Sequence, residues 1–275
     1  MVYMKRIRTL KRGTRRLLSW NVNGLRATYR KGFEDTLKHS GAHIFALQET
    51  RVHRDQIPTN YLKTSMYGSV LAEAEKKGYS GVGTFFKNEP DEIHMGLGIE
   101  KFDREARFIL TRHGKIWVAN GYYPNGSGKN RDLSRVPFKL EFYEAVIEKL
   151  APLHADNEAL FVVGDFNTAH EEIDIARPKG NKKSSGFLQI ERDSFQSFLD
   201  QGYVDTFRER CEDPHHYTWW SQRSGCRERN IGWRIDYVLA SPAANALVSD
   251  AFILPKILGS DHCPIGVDFY SDALD

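Results

Sequence analysis

Residues 159–168 read Ala-Leu-Phe-Val-Val-Gly-Asp-Phe-Asn-Thr, an apolar run of five that passes straight into Asp165 and Asn167. A run that short, rich in aromatic and β-branched residues, reads as a strand buried on both faces. Six more segments repeat it: Leu17 to Val22, Ile44 to Leu47, Gly81 to Phe86, Ile116 to Tyr123, Ile235 to Leu239 and Ile265 to Phe269. Helical period appears between some of them. Phe33 and Leu37 precede Gly41, Leu140, Tyr143, Ile147 and Leu150 follow Pro137, and Phe195, Phe198 and Leu199 precede Gly202, with proline and glycine placed as start and stop signals. Strands outnumber helices, which intervene only sometimes. The expected architecture is a layered α/β sandwich with helices outside a sheet core, not an alternating doubly wound sheet.

The chain has 275 residues, within what one large domain can organise. No apolar run exceeds Ala159 to Val163, which excludes a helix of the roughly 20 residues needed to span a bilayer. Cys211, Cys226 and Cys263 form no C-x-x-C pair, which fits a reducing compartment better than a disulfide framework. The net charge of +3 is uneven: residues 1–16 hold seven cations and no acid, while residues 17–275 hold 32 basic and 36 acidic groups. We therefore expect a flexible basic tail over 1–16 and a single catalytic domain over 17–275. Cations on a flexible tail attract any polyanion and select none.

The polar residues that need explaining sit where strands end. Asn21 and Asn23 follow the first strand, Gln48 and Glu49 the second, Asp165 and Asn167 the strand quoted above; Asp236 lies within another, and Asp261-His262-Cys263-Pro264 precedes the last. Period two puts Asp165 and Asn167 on one face, and likewise Asn21 and Asn23. Oxygen donors with one imidazole and no thiolate spacing suit Mg²⁺ or Mn²⁺ better than Zn²⁺. Taken singly, each such residue is more often a turn or cap group. Together, and in this order, they are specific.

The ordered set resembles the endonuclease/exonuclease/phosphatase superfamily, the DNase I-like fold, and within it the exonuclease III branch of apurinic/apyrimidinic (AP) endonucleases. The likeness runs from Leu17 to Phe269 and rests on Ser19-Trp20-Asn21-Val22-Asn23-Gly24-Leu25-Arg26-Ala27, Leu47-Gln48-Glu49-Thr50, Tyr122-Tyr123-Pro124-Asn125, Gly164-Asp165-Phe166-Asn167, Gly232-Trp233-Arg234-Ile235-Asp236-Tyr237 and Gly259-Ser260-Asp261-His262-Cys263-Pro264-Ile265. The resemblance implies a four-layer α/β sandwich, two packed β-sheets flanked by helices. It also implies a Mg²⁺-dependent endonuclease, with Mn²⁺ as an alternative, that cuts DNA 5′ to an abasic site and trims 3′ ends.

By the same resemblance, Glu49 is the main metal ligand, helped by Asn21, Asp165, Asn167, Asp261 and His262. His262, oriented by Asp236, polarises water or contacts the scissile phosphate. Asp165 is the rival proton-transfer group, Asn167 holds the attacking oxygen and Tyr122 bonds the phosphate. Some relatives carry Asp where Asn23 stands, so that position supplies no charge here. The segment 176–187, with four cations and no acid, matches a DNA-contacting loop of AP endonucleases. This puts Arg177, Lys179, Asn181, Lys182 and Lys183 on DNA, together with Asn125. Trp219 and Trp233 match walls of the pocket for an extrahelical abasic sugar, whose small apolar body excludes an intact nucleotide. A second basic cluster, 223–234, is expected to add affinity.

The expected partner is double-stranded DNA carrying abasic sites, bound by a monomer in a prokaryotic cytosol or a eukaryotic nucleus, with no membrane. The rivals are a phosphoesterase of the same fold acting on inositol phosphates or lipids, and a non-catalytic DNA-binding protein. The second would have lost Glu49, Asp165 or His262. Two other motifs fail: Ser127 stands where a P-loop needs lysine after Gly121 and Gly126, and Cys211, His215, His216 and Cys226 lack the paired spacing of a structural zinc site.

Overall fold

The computed structural model describes residues 8–130 and 132–274. Its strands are β1 (Thr14–Asn21), β2 (Ile44–Gln48), β3 (Gly68–Ala72), β4 (Val82–Phe86), β5 (Glu92–Met95), β6 (Phe108–His113), β7 (Ile116–Tyr122), β8 (Ala159–Asp165), β9 (Val204–Asp205), β10 (Trp219–Trp220), β11 (Gly232–Trp233), β12 (Asp236–Ala240), β13 (Val248–Ile253) and β14 (Ile265–Tyr270). They form two six-stranded sheets, ordered β13-β14-β1-β2-β4-β3 and β5-β6-β7-β8-β12-β9, with β10 and β11 as a separate ribbon. Pairing is parallel between β1 and β2 and between β7 and β8. The remaining neighbours are antiparallel.

Alternation along each strand explains the layers. Leu17, Ile44, Val118, Phe161, Val163, Val238 and Val267 meet in the space between the sheets. Their neighbours Leu18, Trp20 and Phe45 face outward and pack with Phe33 and Leu37 of the helix Phe33–His39. On the other side, Leu110, Leu160 and Val162 pack with Phe142, Val146, Phe195 and Phe198 of the helices Val136–Ala155 and Gln189–Asp200. Both faces of the central strands are therefore apolar. The fold is the expected four-layer sandwich, and all seven expected strands are present.

Sequence reading missed β3, β5, β6, β9, β10, β11 and β13, of which β6 is buried at five of its six residues. Every residue of β5 is exposed, so this edge strand carries no apolar run, and β9, β10 and β11 have two residues each. The interlayer also holds two fully buried amides. Gln48 Nε2 of one sheet donates to Asn120 Oδ1 of the other at 2.8 Å, and Asn120 Nδ2 donates to the Gly83 carbonyl at 2.9 Å. Among the described residues, no helix is long and apolar enough to cross a membrane.

The expected flexible tail needs correction. Residues 1–7 lie outside the described residues, but Thr14, Arg15 and Arg16 belong to β1 and pair with Tyr270, Phe269 and Asp268 of β14. The Arg16 guanidinium is 1% exposed. It forms a bidentate pair with Asp268 at 2.7 and 2.9 Å and donates to the carbonyls of Ser40 and Arg8. Charge counting misplaced the boundary because the carboxylate that neutralises Arg16 lies 252 positions away.

Removing one partner of a buried pair strands the other charge, whereas removing both leaves an apolar contact. Arg16→Met is expected to cost about 3–5 kcal/mol of unfolding free energy, and Arg16→Met with Asp268→Leu should recover most of it. Denaturant unfolding of the two variants checks this.

Candidate active site

Sheet register assembles the site. Parallel pairing sets Tyr122 beside Asp165 and antiparallel pairing sets Asp236 beside Asp165, so three polar side chains leave adjacent strands in one row. The first sheet brings Asn21 to the same end, paired with Gln48. Directly after it, Glu49 turns with φ 53°; Asn23, Arg51 and Asn167 also have positive φ, at 46°, 51° and 50°. Non-glycine residues adopt this conformation only when their surroundings hold them there. Here Gly24 N–H donates to the Glu49 carbonyl and Arg51 N–H to the Ser80 carbonyl, both at 2.8 Å. The turns aim Glu49, Asn23 and Asn167 into one cleft of about 670 Å³.

Hydrogen bonds fix the inner side chains. Asn21 Nδ2 donates to Glu49 Oε2 at 3.0 Å and to Asp165 Oδ2 at 2.8 Å, bridging the carboxylates of the two sheets. Asp165 Oδ1 accepts from the Asn167 N–H at 2.8 Å. His262 Nδ1 bonds Asp236 Oδ2 at 2.9 Å, and its Nε2 stands 3.8 Å from Asp165 Oδ2. Asp261 accepts from Asn23 Nδ2 at 2.8 Å and from Trp219 Nε1 at 3.1 Å. Tyr122 sits beneath the Arg107 guanidinium, 4.6 Å from its ring centre.

The electrostatics follow from burial. Burial pushes the Asp165 carboxyl up to about 7 despite the opposing pull of His262. Burial opposes the His262 imidazolium, but the charges of Asp236 and Asp165 outweigh it and raise the group to about 10. Burial and the Glu49 charge raise the Tyr122 phenol well above its usual range, so it keeps its proton.

The donors suit a hard cation. Asp165 and Asp236 place carboxylate oxygens within 4.8 Å of each other, beside a His262 nitrogen, Asp236 Oδ1 is buried without a hydrogen-bond partner, and Glu49 and Asp261 line the same cleft. Clustered anionic oxygens in low dielectric repel one another until a cation joins them. Asn21 is held within this set by its own hydrogen bonds. Its Oδ1 accepts from the Asn23 N–H at 2.9 Å, so its amide spaces the carboxylates. Asn167 behaves similarly, with Oδ1 accepting from Asn125 and Nδ2 donating to the Tyr123 carbonyl.

Around this centre, Asn125, Asn181, Lys183, Trp219 and Trp233 line the cleft, whereas Arg177, Lys179 and Lys182 do not. Lys182 pairs with Glu172 at 3.3 Å in the open. The two tryptophans meet edge to face with ring centres 6.1 Å apart. In the 223–234 cluster Arg223 and Arg229 are exposed, but Arg234 is buried against Asp174 and Asp205, and Arg227 is held over Trp220 and by the carbonyls of Ser260 and Ile257. A run of cations in sequence does not reveal which of them fold inward.

Four contributors escaped sequence reading. Thr218 Oγ1 donates to Asp236 Oδ2 at 2.6 Å and accepts from the Ile235 and Asp236 N–H groups; its signal was masked by the aromatics beside it. Arg51 lines the cleft and pairs with Glu49. Lys139 and Glu191, both wholly buried, pair at 2.8 Å. Lys139 also donates to the Asn167 carbonyl at 2.7 Å and Glu191 accepts from the Gly186 N–H at 2.6 Å, so this pair joins the Asn167 turn to the 176–187 segment.

In metal-free protein, His262 is expected to stay protonated well above pH 7, and Asp236→Asn should bring its titration down because burial is then less opposed. A raised imidazole pKa stabilises the fold fully below about 6.5, the unfolded value, and that contribution is lost as pH rises towards 10. Nitrogen-15 NMR of labelled histidine in both proteins reads the titration directly.

Comparisons with known proteins agree with this geometry. The model of the endonuclease/exonuclease/phosphatase family matches residues 18–262. A Bacillus subtilis exodeoxyribonuclease is 40% identical over 252 residues, covering 91% of this chain and 97% of the relative. A Dictyostelium discoideum DNA-(apurinic or apyrimidinic site) endonuclease is 36% identical, covering 92% of this chain and 70% of the relative. Among solved structures, an Archaeoglobus fulgidus AP endonuclease superposes with a TM-score of 0.84 at 28% identity, and a Neisseria meningitidis 3′-5′ exonuclease with 0.85 at 27%, each covering 93% of this chain and 99% of the other. By sequence, fold and the layout of its cleft, the chain belongs to the endonuclease/exonuclease/phosphatase family.

Proposed function

We propose that this chain is a DNA repair nuclease that hydrolyses the phosphodiester 5′ to an abasic site, leaving 3′-hydroxyl and 5′-phosphate ends, and that also trims 3′ ends. Its substrate is double-stranded DNA, its cation Mg²⁺ with Mn²⁺ as a substitute, and it acts as a monomer wherever the DNA lies, in a prokaryotic cytosol or a nucleus. The observation that carries this reading is the row of Tyr122, Asp165 and Asp236 with His262 at the floor of a cleft walled by Trp219 and Trp233. An apolar wall beside a phosphate-binding floor suits a baseless sugar next to the bond to be cut.

Glu49, Asp165 and Asp261 would hold the cation, which when bound neutralises charge on the phosphate and on the departing oxygen. The remaining roles fall to the side chains. Asp165, at the centre of the row and 3.8 Å from His262 Nε2, is placed for proton transfer to or from the reacting oxygens. His262 carries its proton at that pH and acts through Nε2 as a charged hydrogen-bond donor to the phosphate while Asp236 fixes the ring. In this reading Asp165 transfers the proton and His262 stabilises charge. The Tyr122 hydroxyl is a second donor. Lys183, in the cleft, contacts the backbone of the DNA, and Lys182 contributes less.

The test is incision of an abasic duplex, with deoxyuridine, 3′-phosphate and undamaged duplexes alongside. Asp165→Asn or His262→Ala is expected to lower the incision rate by about 10²–10⁴-fold with DNA binding largely intact, and chelation to stop the reaction. Lys183→Ala should weaken binding and reduce the salt slope by about one, and Lys182→Ala by less. Near-normal incision by both catalytic variants, or turnover of inositol phosphates in preference to DNA, would overturn the reading.

A further inference from the structure

Cys211, Asp213 and His216 lie between β9 and β10, on a loop that the cleft does not use. Folding brings one ligand atom from each to within 4.8 Å of the other two, and neither His215 nor Cys226 joins the group. Cys211 and His216 are half-buried and Asp213 is exposed. The loop is shaped from beneath: Arg208 Nη1 donates to the carbonyls of Cys211 and Asp213 at 3.1 and 2.8 Å, while the same guanidinium bonds Asp174 Oδ1 at 3.0 and 2.8 Å. Arg208 is thus already neutralised by a buried carboxylate. Cys211 forms no disulfide, and the His216 ring rests against Phe207, ring centres 5.4 Å apart.

We propose that Cys211, Asp213 and His216 form a zinc site with water in the fourth position. One sulfur, one nitrogen and one carboxylate oxygen match a borderline-soft, four-coordinate cation, whereas Mg²⁺ prefers oxygen alone. Thiolate and carboxylate together balance the two charges of the ion. Binding sends the Cys211 thiol proton to solvent, so affinity rises with pH. The bound ion closes a loop that Arg208 joins to Asp174, and Asp174 in turn holds Arg234 beside the cleft wall Trp233. The site therefore braces the outer side of that wall, and its existence does not depend on what the cleft hydrolyses.

The test uses reduced full-length protein with excess Mg²⁺ to occupy the cleft, titrated with Co²⁺ as a spectroscopic stand-in. One equivalent should give a near-ultraviolet thiolate-to-cobalt charge-transfer band that Zn²⁺ bleaches. The band should vanish in Cys211→Ser and persist in Cys226→Ser. Loss of a direct ligand in Asp213→Asn or His216→Gln should weaken the midpoint by at least the ~10-fold that even an outer-sphere partner is worth. In the unmodified chain, Zn²⁺ should slow alkylation of Cys211. No band in the wild-type protein, a band that survives Cys211→Ser, or unprotected alkylation would each overturn the proposal.

Discussion

The contact on which the site depends is the buried amide pair between the sheets. Two apolar faces can slide over one another with little change in burial, because the hydrophobic effect has no direction. Gln48 and Asn120 remove that freedom. Both are wholly buried, and separating Nε2 of one from Oδ1 of the other would leave polar groups unpaired in the core. Gln48 is the last residue of β2 and Asn120 the third from the end of β7. The pair therefore fixes the relative height of the strand ends that carry Glu49 and Tyr122.

With height fixed, Asn21 can lie between Glu49 of one sheet and Asp165 of the other. The carboxylates remain costly. Asp165, Asp236 and Asp261 crowd one imidazole, and the rise in the Asp165 pKa measures how strongly burial disfavours its charge. Four non-glycine residues with positive φ surround them. Such features lower stability and are retained where chemistry uses them. A cation binding here would relieve the repulsion, so metal affinity and the instability of the empty site have one cause.

Buried ion pairs outside the cleft offset some of that cost in order. Lys139 with Glu191 ties the Asn167 turn to Gly186. Arg234 with Asp174 and Asp205 anchors the strand that carries Asp236. Such pairs are weak sources of net stability, since desolvation consumes most of the attraction. What they supply is position: Lys139 holds the Asn167 carbonyl, Glu191 the N–H groups of Gly186 and Leu188, and Asp205 those of Phe207 and Arg208, which an apolar substitute would leave unpaired.

The sequence alone determined most of the strands buried on both faces, since continuous apolar runs such as Leu160 to Val163 can be satisfied only between two packed layers; β6, where Thr111, Arg112 and His113 follow a shorter run, was the exception. It also determined the family and most of the inner site, because Asn21, Glu49, Asp165, Asp236 and His262 stand at strand ends in a distinctive order. Short-range pattern carries no information about partners far along the chain, and there the tertiary structure decided. It turned Arg16 from a tail residue into a core group by supplying Asp268, turned Arg227 and Arg234 inward, and left Lys183 in the cleft but Lys182 outside. It joined Thr218 to Asp236 and Lys139 to Glu191, and it gathered Cys211, Asp213 and His216, whose spacing matches no paired motif. In each case the deciding quantity was the distance between side chains remote in sequence or turned by a loop, which depends on how the layers pack.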